Sequence, residues 1–147
     1  MYQMRKLVIA NNGAGGHGKT ASIKYVYKLL LEKGAQNEKT ICDDNDICVV
    51  LTLDGVMVGI ESCGDCRPYF RMQETLPILR NSGCDIIVCA CRTYGDTLYE
   101  VERFLPDYDI VFASNPQTVL EPLMDYLNKE YAKNVVRMIE DRIHGKW

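Results

Sequence analysis

Residues Gly13-Ala14-Gly15-Gly16-His17-Gly18-Lys19-Thr20 fit the pattern G-x-x-x-x-G-K-[ST] at every fixed position. Residues of these types at this spacing bind phosphate. Glycines let the chain turn so that successive N–H groups point inward at an anion, and a helix that follows adds the partial positive charge of its N-terminus. Lys19 is expected to reach the β- and γ-phosphates of a nucleotide, and the Thr20 hydroxyl to ligate Mg²⁺. His17 occupies a variable position of the cradle and reads as a loop residue rather than a catalyst.

Such a loop needs a strand before it and a helix after it, and the sequence supplies both. Residues 7–10 are an apolar run ending in Asn11-Asn12-Gly13, and 19–33 carry apolar residues at 23, 26, 29 and 30, a helical spacing. Gly34 stops that helix, and the polar stretch 35–46 reads as a loop crossing the molecule. Two β-rich runs, 47–53 and 56–60, are separated only by Asp54-Gly55, so they are expected to pair as an antiparallel hairpin. Further along come a helix over 70–79, a strand covered on both faces over 85–90, and a short helix over 97–105 closed by Pro106. A buried strand over 108–113 and a long helix from about 118 to 143 complete the chain, with Pro122 tolerated in the first turn of that helix. The expectation is one α/β domain over residues 1–147, the three-layer fold of the P-loop NTPases with their Walker A motif. Its sheet would be mainly parallel and five-stranded, with one antiparallel strand from the hairpin.

Composition agrees with one such domain. The chain has 147 residues, 47% hydrophobic and 25% charged, with a net charge of −3. That balance would drive collapse in water and gives no electrostatic reason to expect non-specific nucleic-acid or membrane binding. The cysteines number seven, an odd count, and Cys42, Cys48, Cys84, Cys89 and Cys91 lie in or beside apolar runs. They read as reduced thiols of a cytoplasmic protein rather than a disulfide framework. Met1-Tyr2-Gln3-Met4-Arg5-Lys6 passes into the first strand without an apolar signal core, and no apolar run approaches the ~18–20 residues of a membrane span.

A Mg-nucleotide site also needs a carboxylate near the metal, normally at the C-terminal end of the strand beside the phosphate-loop strand. Asp54 and Glu61 compete for that role. Asp54 ends Val49-Val50-Leu51-Thr52-Leu53-Asp54 but sits in the hairpin turn. If the strand over 56–60 runs parallel to the phosphate-loop strand, its end carries Glu61 and Asp65 to the phosphates and leaves Asp54 at the far edge. Glu61 is therefore preferred.

In its order of motifs the chain resembles the Ras-like small GTPases over roughly residues 5 to 115. There a switch threonine precedes a hairpin whose second strand ends in D-x-x-G. Here the segment is Glu61-Ser62-Cys63-Gly64-Asp65, which looks more like the E-S-G-G-D segment of the urease-accessory GTPases, a nickel-handling group. The resemblance implies that Thr40 is a second Mg²⁺ ligand and that Gly64 senses the γ-phosphate through its N–H. A guanine-specific site in those relatives uses N-K-x-D, where this chain has Asn115-Pro116-Gln117-Thr118. Asn115 keeps the first position, on the base side, while the lysine and aspartate are missing. The reading therefore leans to ATP over GTP.

Weaker signals surround this site. Cys63-Gly64-Asp65-Cys66 supplies two thiols, half of what a closed Zn²⁺ site wants, and Ni²⁺ is the other candidate. Arg92 follows the strand over 85–90, where a guanidinium can meet a phosphate or form a surface salt bridge. Arg67 and Arg71 are similar candidates. The reading is a Mg-ATP (or Mg-GTP) binding protein, a slow NTPase acting as a switch on a protein partner, with Lys19, Glu61, Asp65 and Arg92 in catalytic roles. Two alternatives stay open: a small-molecule or nucleotide kinase, and a GTPase-like metallochaperone using Cys63 and Cys66.

Overall fold

A computed structural model of the chain describes residues 4–12, 18–62, 72–91, 96–104, 106–116, 118 and 120–147. Six strands and four helices follow one another: β1 (Leu7–Asn11), α1 (Lys19–Glu32), β2 (Gln36–Asp43), β3 (Ile47–Leu53), β4 (Val56–Glu61), α2 (Met72–Asn81), β5 (Ile86–Ala90), α3 (Asp96–Glu102), β6 (Asp109–Phe112) and α4 (Glu121–Ile143). The strands form one sheet in the order β2-β3-β4-β5-β1-β6. β1 is parallel to β5 and β6, and β4 is parallel to β5. β3 runs against both β2 and β4, so five strands share one direction.

β1 and β5 are buried along their whole length, which explains their continuous apolar sequences. On one face Ile23, Val26 and Leu30 of α1 join Val135, Val136 and Ile139 of α4 over Leu7, Ile9, Ile86 and Val88. On the other, Leu76 and Leu79 of α2 join Val101, Phe104 and Tyr108 over Val8, Ala10, Ile87 and Cys89. At about 1.5–3 kcal/mol for each large apolar side chain buried, these two layers supply most of the drive to fold. The hairpin turn is where local chemistry predicts it. Asp54 (φ 50°) and Gly55 (φ 79°) both take the left-handed conformation that a two-residue turn between twisted strands demands.

Two expectations need correcting. The sheet has six strands, not five, because part of the segment read as a crossing loop is β2. Residues 36–40 are exposed, so this edge strand shows no apolar alternation to read. It is held by its ladder with β3 and by side chains: Asn37 donates to the Tyr27 hydroxyl at 2.9 Å and Thr52 to Glu38 at 2.8 Å. Its charged, polar surface also discourages edge-to-edge aggregation. Second, β5 lies between β1 and β4, so the strand ending in Glu61 is not the neighbour of β1.

At the opposite end of the sheet Arg5 and Arg142 converge on Asp109, with Nη2 atoms 2.9 and 2.6 Å from its carboxylate, and Arg142 also donates to the Arg5 carbonyl. Hydrogen bonds from Arg5 and then Arg142 hold the Asp109 carboxyl below its usual range. A depressed carboxyl stabilises the fold above the unfolded-state value and loses that contribution as pH falls through the folded one. Asp109→Asn is therefore expected to destabilise at pH 7 by at most about 1 kcal/mol, because the carboxylate is 39% exposed. Thermal melts should show the gap from wild type closing below about pH 4.

Candidate functional site

The C-terminal ends of β1, β4, β5 and β6 lie on one side of the sheet, where open α/β folds place their ligands. Gly18 stands at the N-terminus of α1 in the left-handed conformation (φ 77°), and its carbonyl accepts the first helical hydrogen bond, from the Ser22 N–H at 2.9 Å. Lys19 follows at once and is 3% exposed. Its Nζ donates to the Cys91 carbonyl, just past the end of β5, at 3.0 Å. The ammonium thus spans from the start of α1 to the end of the central strand pair.

Thr20 points toward the β2–β3 turn. Its hydroxyl lies 3.2 Å from Asp46 Oδ1, and the Ser62 hydroxyl lies 3.1 Å from the same oxygen. Ser62 is fixed twice to Ile47: its hydroxyl accepts from the Ile47 N–H at 2.8 Å, and its own N–H donates to the Ile47 carbonyl at 2.9 Å. The turn is tied internally by the Asp46 N–H donating to Asp44 Oδ1 at 3.0 Å, and to α1 by Lys24 donating to the Asp44 carbonyl. A threonine, a carboxylate and a serine from three segments thus meet at one point. All are hard oxygen donors of the kind Mg²⁺ prefers.

Glu61 is fully buried at the C-terminal end of β4, opposite Cys48 of β3 and Cys89 of β5. Ile60 and Val58 face the α1/α4 core, so strand alternation turns Glu61 to the face covered by α2 and α3, away from α1. Burial pushes the Cys89 thiol well above its ordinary value, with Cys91 and the Glu61 carboxylate adding to it. Asp54 is at the other end of the sheet, exposed, with His144 3.8 Å away.

Asn115 is buried and committed to the interior. Asn11 donates to its Oδ1, the Ser22 hydroxyl lies 3.1 Å from that oxygen, and its own Nδ2 donates to Asn128 at 2.6 Å. Thr40 is exposed on β2 and accepts from Asn37 at 3.1 Å, so the residue of this hairpin that meets Thr20 is Asp46 rather than Thr40. Gly13, Ala14, Gly15, Gly16 and His17 lie outside the described residues, as do Cys63, Gly64, Asp65, Cys66, Arg67, Arg71 and Arg92. Among the described residues no group of three or more His, Cys, Asp or Glu side chains is arranged to hold a metal, the cysteines are free thiols, and no helix is long and apolar enough to cross a membrane.

Sequence reasoning missed Asp46, Ser62 and Asn128. The run Asp43-Asp44-Asn45-Asp46 is turn-forming and stands directly before a strong strand, the one local sign of a hairpin tip here. No protein-family model, no curated protein and no solved structure matches the chain.

Proposed function

We propose that this chain binds a Mg-nucleoside triphosphate, ATP in preference to GTP, and hydrolyses it slowly as a P-loop switch. The observation that carries the reading is the meeting of Thr20 with Asp46 and Ser62, with the adjacent Lys19 reaching the Cys91 carbonyl, at the C-terminal ends of parallel strands, where Lys19 and Thr20 close a glycine-rich G-x-x-x-x-G-K-[ST] segment. In this reading Lys19 leaves the Cys91 carbonyl for the β- and γ-phosphates. Thr20 and Asp46 hold the metal. When bound, Mg²⁺ neutralises the phosphate oxygens and favours attack on the γ-phosphorus.

Glu61 is the carboxylate assigned to orienting the attacking water. Asp65, Arg92 and Gly64 remain candidates to act on the γ-phosphate. With Asn115 occupied by Asn11 and Asn128, base recognition falls to apolar packing and backbone groups, which suits adenine. Phe112, 45% exposed at the C-terminal end of β6 beside β1, is one apolar surface at that end of the sheet. The acidic β2–β3 tip contacts Thr20 directly, so a change at the metal is felt by an exposed turn that a protein partner can read.

Calorimetric titration with ATP and with GTP, each with Mg²⁺ and with a chelator, tests this. The expected result is Mg-dependent binding of ATP, tighter than GTP. Binding of neither nucleotide overturns the proposal, and tighter GTP binding overturns the base assignment.

A further inference from the structure

Asn128 is an amide in the middle of α4, 4% exposed, on a helix whose other buried residues include Tyr131, Ala132, Val135 and Val136. Burying an amide there is costly unless it is hydrogen-bonded, and its oxygen is bonded to Asn115. Its Oδ1 accepts from Asn115 Nδ2 at 2.6 Å. Its amide also fills the space beside Gly18: a Cβ built at position 18 would lie 2.8 Å from Asn128 Nδ2 and 2.9 Å from Oδ1. Glycine at position 18 is thus required twice, by its left-handed φ and by the α4 side chain against it.

The contacts run further. Asn115 accepts from Asn11, the last residue of β1, and Asn11 Nδ2 also lies 3.3 Å from the Ser22 hydroxyl in the first turn of α1. Ser22 in turn lies 2.8 Å from the Lys19 carbonyl. Three buried polar side chains, Asn11 of β1, Ser22 of α1 and Asn115 after β6, therefore close a ring, and Asn128 of α4 joins it through Asn115. They pin the chain where it enters the glycine-rich segment, at Asn11, and where it leaves it, at Gly18 and Ser22. Buried networks in which each member is satisfied rigidify what they join.

We infer that Asn128 is a positioning residue for the nucleotide site: through Asn115 and against Gly18 it braces Asn11 and Gly18, the residues on either side of the glycine-rich segment. The inference rests on the nucleotide reading above and adds α4 to it. Asn128 touches no ligand in this scheme. Its effect is preorganisation, which lowers the ordering cost of binding, and the coupling is reciprocal, so bound nucleotide stabilises α4 in return.

The test compares Asn128→Ala and Asn128→Asp with Val135→Ala, a fully buried position one to two turns further along the same helix. Mg-ATP affinity is measured by calorimetry well below every melting temperature, and Tm by circular dichroism. Asn128→Ala is expected to weaken Mg-ATP by about tenfold or more, within the usual range of coupling between sites. Val135→Ala should lower Tm comparably and leave affinity within about twofold, as expected for lost core packing alone. Asn128→Asp keeps the acceptor for Asn115 with the same shape but puts a negative charge against Gly18. It should fold as wild type and bind Mg-ATP more weakly, and it decides the matter if the alanine variant does not fold. Wild-type affinity in both Asn128 variants, or an equal loss in Val135→Ala, overturns the inference while a Lys19→Ala defect leaves the nucleotide reading standing. No binding by wild type overturns both.

Discussion

Lys19→Ala is expected to weaken Mg-ATP binding by about 10- to 100-fold and to destabilise the fold by about 1.5–3 kcal/mol. Both effects follow from what the lysine does in each state. Without nucleotide its buried ammonium donates to the Cys91 carbonyl at 3.0 Å, and a bond with a charged donor contributes about 1.5–3 kcal/mol. With nucleotide it would meet two phosphate groups. At the same worth per bond, exchanging one for two leaves about 1.5–3 kcal/mol for binding, at about 1.4 kcal/mol per tenfold in affinity. Calorimetry and thermal melts on the same preparations separate the two effects. Equal affinity in variant and wild type would sink the phosphate-loop reading, and a collapsed melting curve would mean that Lys19 is chiefly structural.

That expectation comes from the sequence because the G-x-x-x-x-G-K-[ST] pattern is local: eight consecutive residues read between a strand and a helix. The same holds for the Asp54-Gly55 hairpin, whose left-handed φ values are a property of two neighbours. The reversal from β3 to β4 was legible too, since a two-residue turn forces it, while the parallel run of β4 with β1 entered only as a condition and is set through β5. Sheet order was not legible. β5 lies between β4 and β1 through contacts between residues about 30 or more apart, such as Val58 with Ile86 and Leu7 with Ile86. β2 carries no strand signal because an exposed edge strand has no buried face to impose a period of two.

The site divides the same way. Lys19 and Thr20 announce themselves by motif. Asp46 reaches Thr20 across 26 residues, and Asn128 reaches Asn115 from a different element, so neither has a spacing to read. Asn115 was visible, but as the remnant of a base-reading motif, whereas the fold uses it as a brace. Two isolated asparagines separated by 13 residues carry no periodic signal. Their relationship exists only once β6 has placed one of them beside β1 and α4 has packed across α1.

Asp46→Asn and Glu61→Gln should separate metal binding from turnover. Asn at 46 keeps the size and an acceptor for Thr20 and Ser62, so the turn should survive, but the carboxylate charge is gone. Affinity for Mg-ATP is expected to fall about 10- to 100-fold, the usual cost of disturbing a metal's supporting ligands. Affinity for ATP in chelator should rise or hold, because an anion no longer faces the phosphates. The ratio of the two affinities, which measures Mg dependence, collapses. Glu61→Gln should do the reverse. The residue is buried away from α1, so affinity is expected to stay within about twofold while hydrolysis drops by about 10²–10⁴, the range for loss of a general base. Asp54→Asn, at the exposed far end beside His144, should change neither quantity. Full Mg dependence in Asp46→Asn would place the metal's carboxylate elsewhere. Full turnover in Glu61→Gln would move the water-orienting role off β4, and with it the reason for a buried carboxylate among Cys48 and Cys89.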